Sequence, residues 1–237
     1  MESLKDKVIL ITGGSKGIGY GVAEVLLKEG AKVAITSRTQ SSADEAAKSL
    51  SSSGGQVLGI AADVRDESSQ QKAVDRVLQE WGRLDVLVAN AGLGYFGSIE
   101  NLTAAQWQET IDTNLTGVFY SVKASIPVLK DSKGYIITIA SLAGTNFFAG
   151  GAAYNASKFG VVGFTQAIML DLRASGIKVS TIMPGSVATE FNGASPNSSD
   201  DWKIQPEDIG QIIADLLKLN PRTLPSKIEV RPSLPPK

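Results

Sequence analysis

The amino-acid sequence predicts an α/β fold in which a mostly parallel sheet carries helices on both faces. Short apolar runs rich in β-branched residues recur along the chain, and segments of helical periodicity separate most of them. The first of these runs leads directly into a cluster of glycines. The 237 residues, 43% of them hydrophobic, are enough for one domain, spanning 1–237, with a sizeable core.

Seven of the apolar runs are predicted to be strands. They lie at 7–12, 32–36, 57–61, 84–89, 135–140, 178–183 and 227–230. Helical periodicity is clearest in two intervening segments, at Ile18, Val22, Val25 and Leu26 and at Ala73, Val74, Val77 and Leu78. Alternating strands and helices imply right-handed crossovers between parallel strands. We therefore expect a doubly wound Rossmann fold with a seven-stranded sheet.

The glycine cluster follows the first predicted strand. Gly13, Gly17 and Gly19 stand in the spacing G-x-x-x-G-x-G, with Ser15 and Lys16 between them. Small residues let a strand turn tightly into a helix, and they bring backbone N–H groups and the positive helix end close to a pyrophosphate. Such a cluster is also compatible with a plain turn, but the strand before it and the helix after it favour dinucleotide binding.

The residues at the end of the second predicted strand indicate which dinucleotide the chain binds. An enzyme that uses NAD usually places an acidic residue here, on the ribose 2′-hydroxyl, whereas this chain has Ser37 and Arg38. Arg38 suits a 2′-phosphate, Lys16 adds a second positive charge, and Ser37 offers a hydroxyl. Both cations are also compatible with ordinary surface positions. Together, they predict NADP(H) as the cofactor.

Tyr154 and Lys158 are the most informative pair for chemistry. They are one helical turn apart, so the phenol and the ammonium project from the same face. A nearby cation favours the ionised phenol, and we therefore expect the pKa of Tyr154 to be lowered. An ordinary amphipathic helix also places Tyr and Lys at this spacing, so the pair gains weight only from the glycine cluster.

Composition excludes several function classes. The chain contains no cysteine and no histidine, which excludes disulfides, Cys/His zinc sites and Ser-His-Asp hydrolysis, and no metal site is expected. The net charge is −1 and the basic residues are scattered, so neither nucleic acid nor an anionic membrane is an expected partner. No apolar run approaches ~20 residues, and Met1 to Lys7 do not read as a signal peptide. A cytoplasmic protein is expected.

The glycine cluster and the Tyr–Lys pair together resemble the short-chain dehydrogenase/reductase family. Further motifs of that family follow in its order: Asn90-Ala91-Gly92, Asn114, and Pro184-Gly185 with Thr189 beyond. The resemblance covers nearly the whole chain. The chain departs from the family pattern at Ala89, where many members have a second Asn, and this bears on turn packing rather than chemistry.

The resemblance implies a catalytic tetrad of Asn114, Ser141, Tyr154 and Lys158. In it, Tyr154 is the acid, Ser141 holds the substrate oxygen, Lys158 binds the nicotinamide ribose, and Asn114 holds a water that leads to solvent. Alone, Ser141 and Asp63 are typical helix caps and Pro184-Gly185 a turn. The implied cofactor contacts are Gly13, Ser15, Lys16, Gly17, Ile18, Gly19, Ser37, Arg38, Asp63, Val64, Asn90, Ala91, Gly92, Tyr154, Lys158, Pro184, Gly185, Val187 and Thr189.

The expected activity is NADPH-dependent reduction of a small aldehyde or ketone, reversible to alcohol oxidation. Reduction of 3-oxoacyl thioesters, pteridine ketones or sugars stays open, as does a non-catalytic NADP(H)-binding regulator. The segment 190–205 is predicted to be a short lid, and its acidic balance favours small uncharged substrates. The stretch 51–55 is predicted to be a solvated loop. Apolar residues at 161–169 and the family resemblance predict a homo-oligomer, with a tetramer favoured and a dimer possible.

Overall fold

A computed structural model describes residues 3–52 and 54–234 of the chain. All seven predicted strands are present, with ends within two residues of the predicted ones. They are β1 Val8–Ile11, β2 Lys32–Ser37, β3 Gln56–Ala61, β4 Val86–Ala89, β5 Tyr135–Ile139, β6 Lys178–Pro184 and β7 Lys227–Val230. The α-helices are α1 Gly17–Lys28, α2 Gln40–Ser51, α3 Glu67–Trp81, α4 Ala104–Ile111, α5 Gly117–Ser132, α6 Ala152–Leu172 and α7 Pro206–Leu217.

The strands form one sheet in the order β3-β2-β1-β4-β5-β6-β7, and every pairing within it is parallel. This confirms the predicted Rossmann architecture. The order reverses direction after β1, because β2 and β3 lie on one side of it and β4 to β7 on the other. In open sheets of this kind ligands bind outside the carboxyl ends of the strands, near the point of reversal.

Apolar residues on both faces of the sheet explain why its strands read as continuous hydrophobic runs. In β1, Ile9 faces a core formed with α1, α2 and α7, while Leu10 faces a second core formed with α3, α5 and α6. Both side chains are almost completely buried. The helices therefore cover the sheet on both sides and leave its carboxyl edge open.

One segment differs from expectation in detail. The predicted loop at 51–55 begins later, because α2 continues through Ser51; Ser53 lies outside the described residues, as do Met1 and Glu2 of the segment examined for a signal peptide. Between α4 and α5 the chain does not break but forms a single π-helical turn, Asp112–Thr116. Among the described residues, no helix has both the length and the apolar character needed to cross a membrane.

Candidate active site

One cleft of about 950 Å³ lies at the carboxyl ends of the strands. It is lined by every residue predicted for the site except Gly19 and Asn114. The predicted residues that line it are Gly13, Ser15, Lys16, Gly17, Ile18, Ser37, Arg38, Asp63, Val64, Asn90, Ala91, Gly92, Ser141, Tyr154, Lys158, Pro184, Gly185, Val187 and Thr189. The fold thus brings together residues that are far apart in the chain.

The glycine loop between β1 and α1 has the backbone that its sequence requires. Gly13 and Gly17 have φ values of 65° and 56°, which disfavour other residues. A Cβ atom on Gly13 would lie 2.9 Å from the Cα of Ala91, so the loop packs directly on the segment after β4. No side chain caps the N-terminus of α1. Its free N–H groups can therefore donate hydrogen bonds to an anion such as a diphosphate.

Asn90 ties the glycine loop to the centre of the sheet. Its side-chain Nδ2 donates hydrogen bonds to the carbonyl oxygens of Thr12 (2.9 Å) and Gly13 (3.0 Å). Gly19 lies beneath this amide, because a Cβ there would approach Asn90 Nδ2 to 2.5 Å. Gly19 does not line the cleft, and its small size lets α1 start close to the loop. Its contact with a cofactor stays a prediction.

The end of β2 presents the two predicted cations. Lys16 and Arg38 are both exposed, and neither forms an ion pair with a residue in the described ranges. The hydroxyls of Ser15 and Ser37 are hydrogen bonded at 3.2 Å, which joins the glycine loop to β2. Two unpaired cations beside two hydroxyls suit a phosphate group.

Asp63 has a partner that sequence reasoning missed. Arg65 binds its carboxylate with Nε at 3.0 Å and Nη2 at 2.6 Å, and Arg65 also lies 3.6 Å from Glu109. Glu109 in turn accepts a hydrogen bond from the Tyr95 hydroxyl at 2.7 Å. The Arg65 hydrogen bond is the largest cause that lowers the pKa of Asp63. No sequence motif predicts this series of contacts, because the residues that form it come from three separate segments of the sequence.

Tyr154 and Lys158 stand one turn apart on α6, as predicted. The Lys158 ammonium lies 5.7 Å from the centre of the Tyr154 ring and donates a hydrogen bond to the Ile139 carbonyl at 2.9 Å. Ser141 follows β5, and its hydroxyl accepts from the Ala143 N–H at 3.1 Å. The three polar groups face one cleft, so a substrate oxygen there can meet a hydroxyl, a phenol and a nearby cation.

Burial controls the protonation of this pair. It lowers the pKa of Lys158 to about 8, because the ammonium loses its hydration. It also raises the pKa of Tyr154, and the Ser141 hydroxyl opposes that rise only in part. The expected lowering of the pKa of Tyr154 is thus wrong for this structure. Desolvation is the larger of the two causes, so the phenol stays protonated and able to donate.

Asn114 lies in the π-helical turn and is fully buried. Its Nδ2 donates to the Leu93 carbonyl (2.8 Å) and to Ser157 Oγ (3.0 Å), while its Oδ1 accepts from the Leu93 N–H at 2.8 Å. Both side-chain donors are therefore committed to the protein. The structure gives Asn114 the geometry of a positioning residue, which joins the segment after β4 to α6.

The segment after β6 forms one wall of the cleft. A short parallel bridge between Val187 and Ile204 fixes its base, and Thr189 lies opposite the glycine loop, 3.4 Å from where a Cβ of Gly17 would be. Lys203 forms an ion pair with Asp200 at 2.6 Å. The two ends of the predicted lid are therefore held together by the Val187–Ile204 bridge. The positive charge of Lys203 is neutralised by Asp200.

Comparisons with known proteins identify the family. Residues 7–200 match the family described as short chain dehydrogenase. An uncharacterized oxidoreductase of Staphylococcus saprophyticus is 33% identical over 238 residues, which is 98% of this chain and 100% of the relative. The trans-4-hydroxycyclohexanecarboxylate dehydrogenase of Sinomonas cyclohexanicum is 34% identical and covers 91% of this chain and 86% of its own. A glycine betaine reductase of Emericella nidulans is 33% identical over 97% of this chain, which spans only 19% of that longer protein.

Solved structures show the same architecture. An alcohol dehydrogenase from the archaeon Thermococcus sibiricus, complexed with 5-hydroxy-NADP, superposes with a TM-score of 0.91 at 28% identity, over 98% of this chain and 100% of that one. A metagenomic short-chain oxidoreductase in complex with NADP gives 0.86 at 33% identity, over 99% and 100%. A 3-ketoacyl-(acyl-carrier-protein) reductase from Brucella melitensis, complexed with NADH, gives 0.88 at 27% identity, over 98% and 99%.

Proposed function

The chain belongs to the short chain dehydrogenase family, and on that basis we propose that it is an NADPH-dependent reductase of small aldehydes and ketones, which also oxidises the corresponding alcohols. The observation that carries the proposal is the meeting of Ser141, Tyr154 and Lys158 in the cleft that the glycine loop and α1 border. NADPH supplies hydride when it is bound. The remaining chemistry is proton transfer and charge stabilisation by the chain's own residues.

Each polar group has a role in this proposal. Hydride addition to a carbonyl carbon builds negative charge on oxygen, which needs a hydrogen-bond donor and then a proton. The Ser141 hydroxyl holds the oxygen, and Tyr154, kept protonated by burial, donates the proton. Lys158 supplies the nearest positive charge and fixes the nicotinamide ribose. Asn114 secures the segment after β4 against α6, and we keep for it the role of holding a water that connects Lys158 to solvent.

The preference for NADPH over NADH rests on Arg38 and Lys16. Both are exposed beside the Ser15–Ser37 hydroxyl pair, and no carboxylate stands at the end of β2. Related structures hold either NADP or NADH, so the preference has to come from this chain's own residues. The contacts at Asp63, Val64, Pro184, Gly185, Val187 and Thr189 belong to the same proposal.

Small uncharged substrates suit the lid better than carrier-bound thioesters. A coenzyme-A or acyl-carrier substrate requires cations that meet its phosphates. The lid's cation, Lys203, is already paired with Asp200, and Glu190 is exposed at its start. We include in the proposal a single domain over 1–237, a cytoplasmic location and a homo-oligomer with small molecules as its other partners.

A screen of NADPH oxidation by the purified protein tests this function. The substrates are a small aromatic aldehyde, a 3-oxoacyl thioester, a pteridine ketone and a sugar, each with NADPH and with NADH. We expect the highest kcat/KM for the small aldehyde with NADPH. A clear preference for the thioester contradicts the substrate class. Tight NADPH binding without turnover of any carbonyl favours the non-catalytic regulator instead.

A further inference from the structure

Two phenylalanines contact Tyr154 and a third contacts one of them, and neither proton transfer nor nucleotide binding explains these rings. The centre of the Phe96 ring lies 5.4 Å from that of Tyr154, and the Phe191 ring lies 5.7 Å from it. Phe96 also contacts Phe191 at 6.3 Å and Phe148 at 5.9 Å. We call Phe96, Phe148 and Phe191 the aromatic cluster. Its rings meet each other and Tyr154 at 47° to 68°, the tilted and edge-on geometry that aromatic groups favour.

The aromatic cluster is not part of either core. Phe96, Phe148 and Phe191 are 43%, 48% and 37% exposed, and Phe96 and Phe191 line the cleft. Large apolar side chains left this accessible beside a polar centre mark a surface that is covered when a ligand binds. The exposed rings are therefore available to a substrate held by Tyr154.

Glycines and one asparagine hold the three ring-bearing segments together. A Cβ on Gly94 would lie 2.9 Å from Phe96 Cζ and 3.0 Å from Phe191 Cζ, and a Cβ on Gly151 would lie 2.7 Å from the Phe148 ring. The Asn155 amide donates to the carbonyls of Ala143 and Asn146, each at 2.8 Å, which anchors the loop before α6. The rings are thus positioned by close backbone approach rather than by loose collapse.

We propose that the aromatic cluster is the specificity-determining wall of the substrate site and selects carbonyl compounds in which an aromatic ring is attached to the carbonyl. This inference rests on the proposed function, because the carbonyl oxygen is assigned to Ser141 and Tyr154. An aryl group on that carbon is brought against Phe96 and Phe191, whose rings already contact Tyr154. Lys203 and Glu109, two charged side chains that line the cleft, are already paired with protein groups, so neither favours a charged substituent.

Aromatic character and apolar character are separated by comparing an aryl methyl ketone with its cyclohexyl counterpart. We expect the protein to favour the aryl ketone in kcat/KM. Each aromatic contact contributes roughly a 2- to 10-fold preference beyond burial of area. Phe96→Leu and Phe191→Leu should each remove about that factor for the aryl ketone and change the cyclohexyl ketone much less. Equal losses for both ketones would show that the rings serve only as apolar bulk.

The matched control is Phe147→Leu. Phe147 is next to Phe148 in the chain but is 85% exposed and joins no ring pair in the described structure. This variant should leave the ratio of the two ketones unchanged. A change in the ratio as large as that of Phe96→Leu would mean that the ratio does not depend on the ring contacts with Tyr154 and would overturn the proposal.

A binding measurement keeps this inference separate from the proposed function. The Tyr154→Phe protein saturated with NADPH is titrated with each ketone, and the nucleotide fluorescence is followed. Tighter binding of the aryl ketone, lost in the Phe96→Leu and Phe191→Leu backgrounds, supports the aromatic wall even if no carbonyl is turned over. Equal affinities for the two ketones refute the wall even if the enzyme reduces both.

Discussion

At the scale of single residues, burial sets the chemistry of Tyr154 and Lys158. The interior disfavours the charged form of each group, so it raises the pKa of the phenol and lowers the pKa of the ammonium. The two shifts move the pKa values of the groups further apart than in water, with the phenol above the ammonium. A phenol that stays protonated can donate a hydrogen bond to a developing alkoxide. The Ser141 hydroxyl is a second possible donor in the same cleft.

The first prediction concerns that phenol. Tyr154→Phe removes the proton donor but keeps the ring, so kcat should fall by roughly 10² to 10⁴ while NADPH affinity is nearly unchanged. Steady-state kinetics and nucleotide fluorescence give the two quantities. Tyr20→Phe is the matched control, because the Tyr20 hydroxyl is exposed and bonds Ser49 at 2.8 Å, away from the cleft. Full turnover by the Tyr154→Phe protein would remove Tyr154 from the mechanism.

The second prediction concerns the charge on Lys158. Its pKa is about 8 in the folded protein, below the 10.5 that applies in the unfolded chain, so the unfolded chain binds more protons between these values. Stability should therefore rise with pH across this window, because the cost of a buried ammonium disappears. The wild type should gain about 2 kcal/mol relative to Lys158→Met between about pH 7 and about pH 10.

Denaturant unfolding of both proteins, without added nucleotide, measures this difference. Taking the difference between the two proteins cancels the exposed lysines and tyrosines that titrate in the same range. A constant difference across the window would mean that Lys158 keeps an ordinary pKa, and that its hydrogen bond to the Ile139 carbonyl compensates fully for burial.

At the scale of elements, the junctions of β1 with α1 and of β2 with α2 form the nucleotide end of the cleft. The glycine loop supplies an uncapped helix N-terminus, and the end of β2 supplies Arg38. Thr36 joins the two, because its side-chain oxygen accepts from the Gly13 N–H at 3.2 Å and its carbonyl from the Gly14 N–H at 3.0 Å. These hydrogen bonds fix the position of the helix N-terminus at the first junction relative to Arg38 at the second.

The third prediction belongs to this pair of junctions. Arg38→Asp replaces a cation suited to a 2′-phosphate by a carboxylate suited to a ribose hydroxyl. NADPH affinity should fall roughly 10- to 100-fold, the range for a charge-assisted hydrogen bond, and NADH affinity should hold or rise. Fluorescence titration with both nucleotides measures the ratio. Arg222→Asp, the same change of charge at an exposed turn, should leave it unaltered. Equal affinities in the wild type would refute the assignment of Arg38.

At the scale of the whole molecule, one sheet edge gathers the site, and one group of helices leaves apolar side chains uncovered. Trp107 of α4, Phe119 of α5, and Phe159 and Leu170 of α6 are 40%, 42%, 42% and 60% exposed. The residues first named for an interface behave differently. Val161 is fully buried, and Val162, Phe164, Ile168 and Met169 pack in part against the core.

The fourth prediction is that copies of the chain associate through the exposed apolar side chains of α4, α5 and α6. Light scattering should give the mass of four chains, or of two, rather than the single-chain mass of 24.9 kDa. Leu170→Glu places a charge on the face and should shift the mass toward the monomer. Leu234→Glu changes another exposed leucine, 62% accessible, and should have no effect. A monomeric wild type at micromolar concentration would contradict the prediction.

The sequence by itself determined the elements and their order. Continuous apolar runs such as the one that contains Ile9 and Leu10 predict strands buried on both faces, and the glycines at 13, 17 and 19 predict the turn into α1. These properties are local, because periodicity and backbone freedom depend on neighbouring residues. Local signals also located Tyr154 and Lys158 on one helical face.

Only the tertiary structure decided how the site residues interact. It committed the Asn114 amide to Leu93 and Ser157, paired Asp63 with Arg65, and gathered Phe96 and Phe191 around Tyr154. It also reversed the expected direction of the Tyr154 pKa shift. Desolvation and side-chain pairing depend on atoms that distant segments bring together, and no pattern along one segment encodes them.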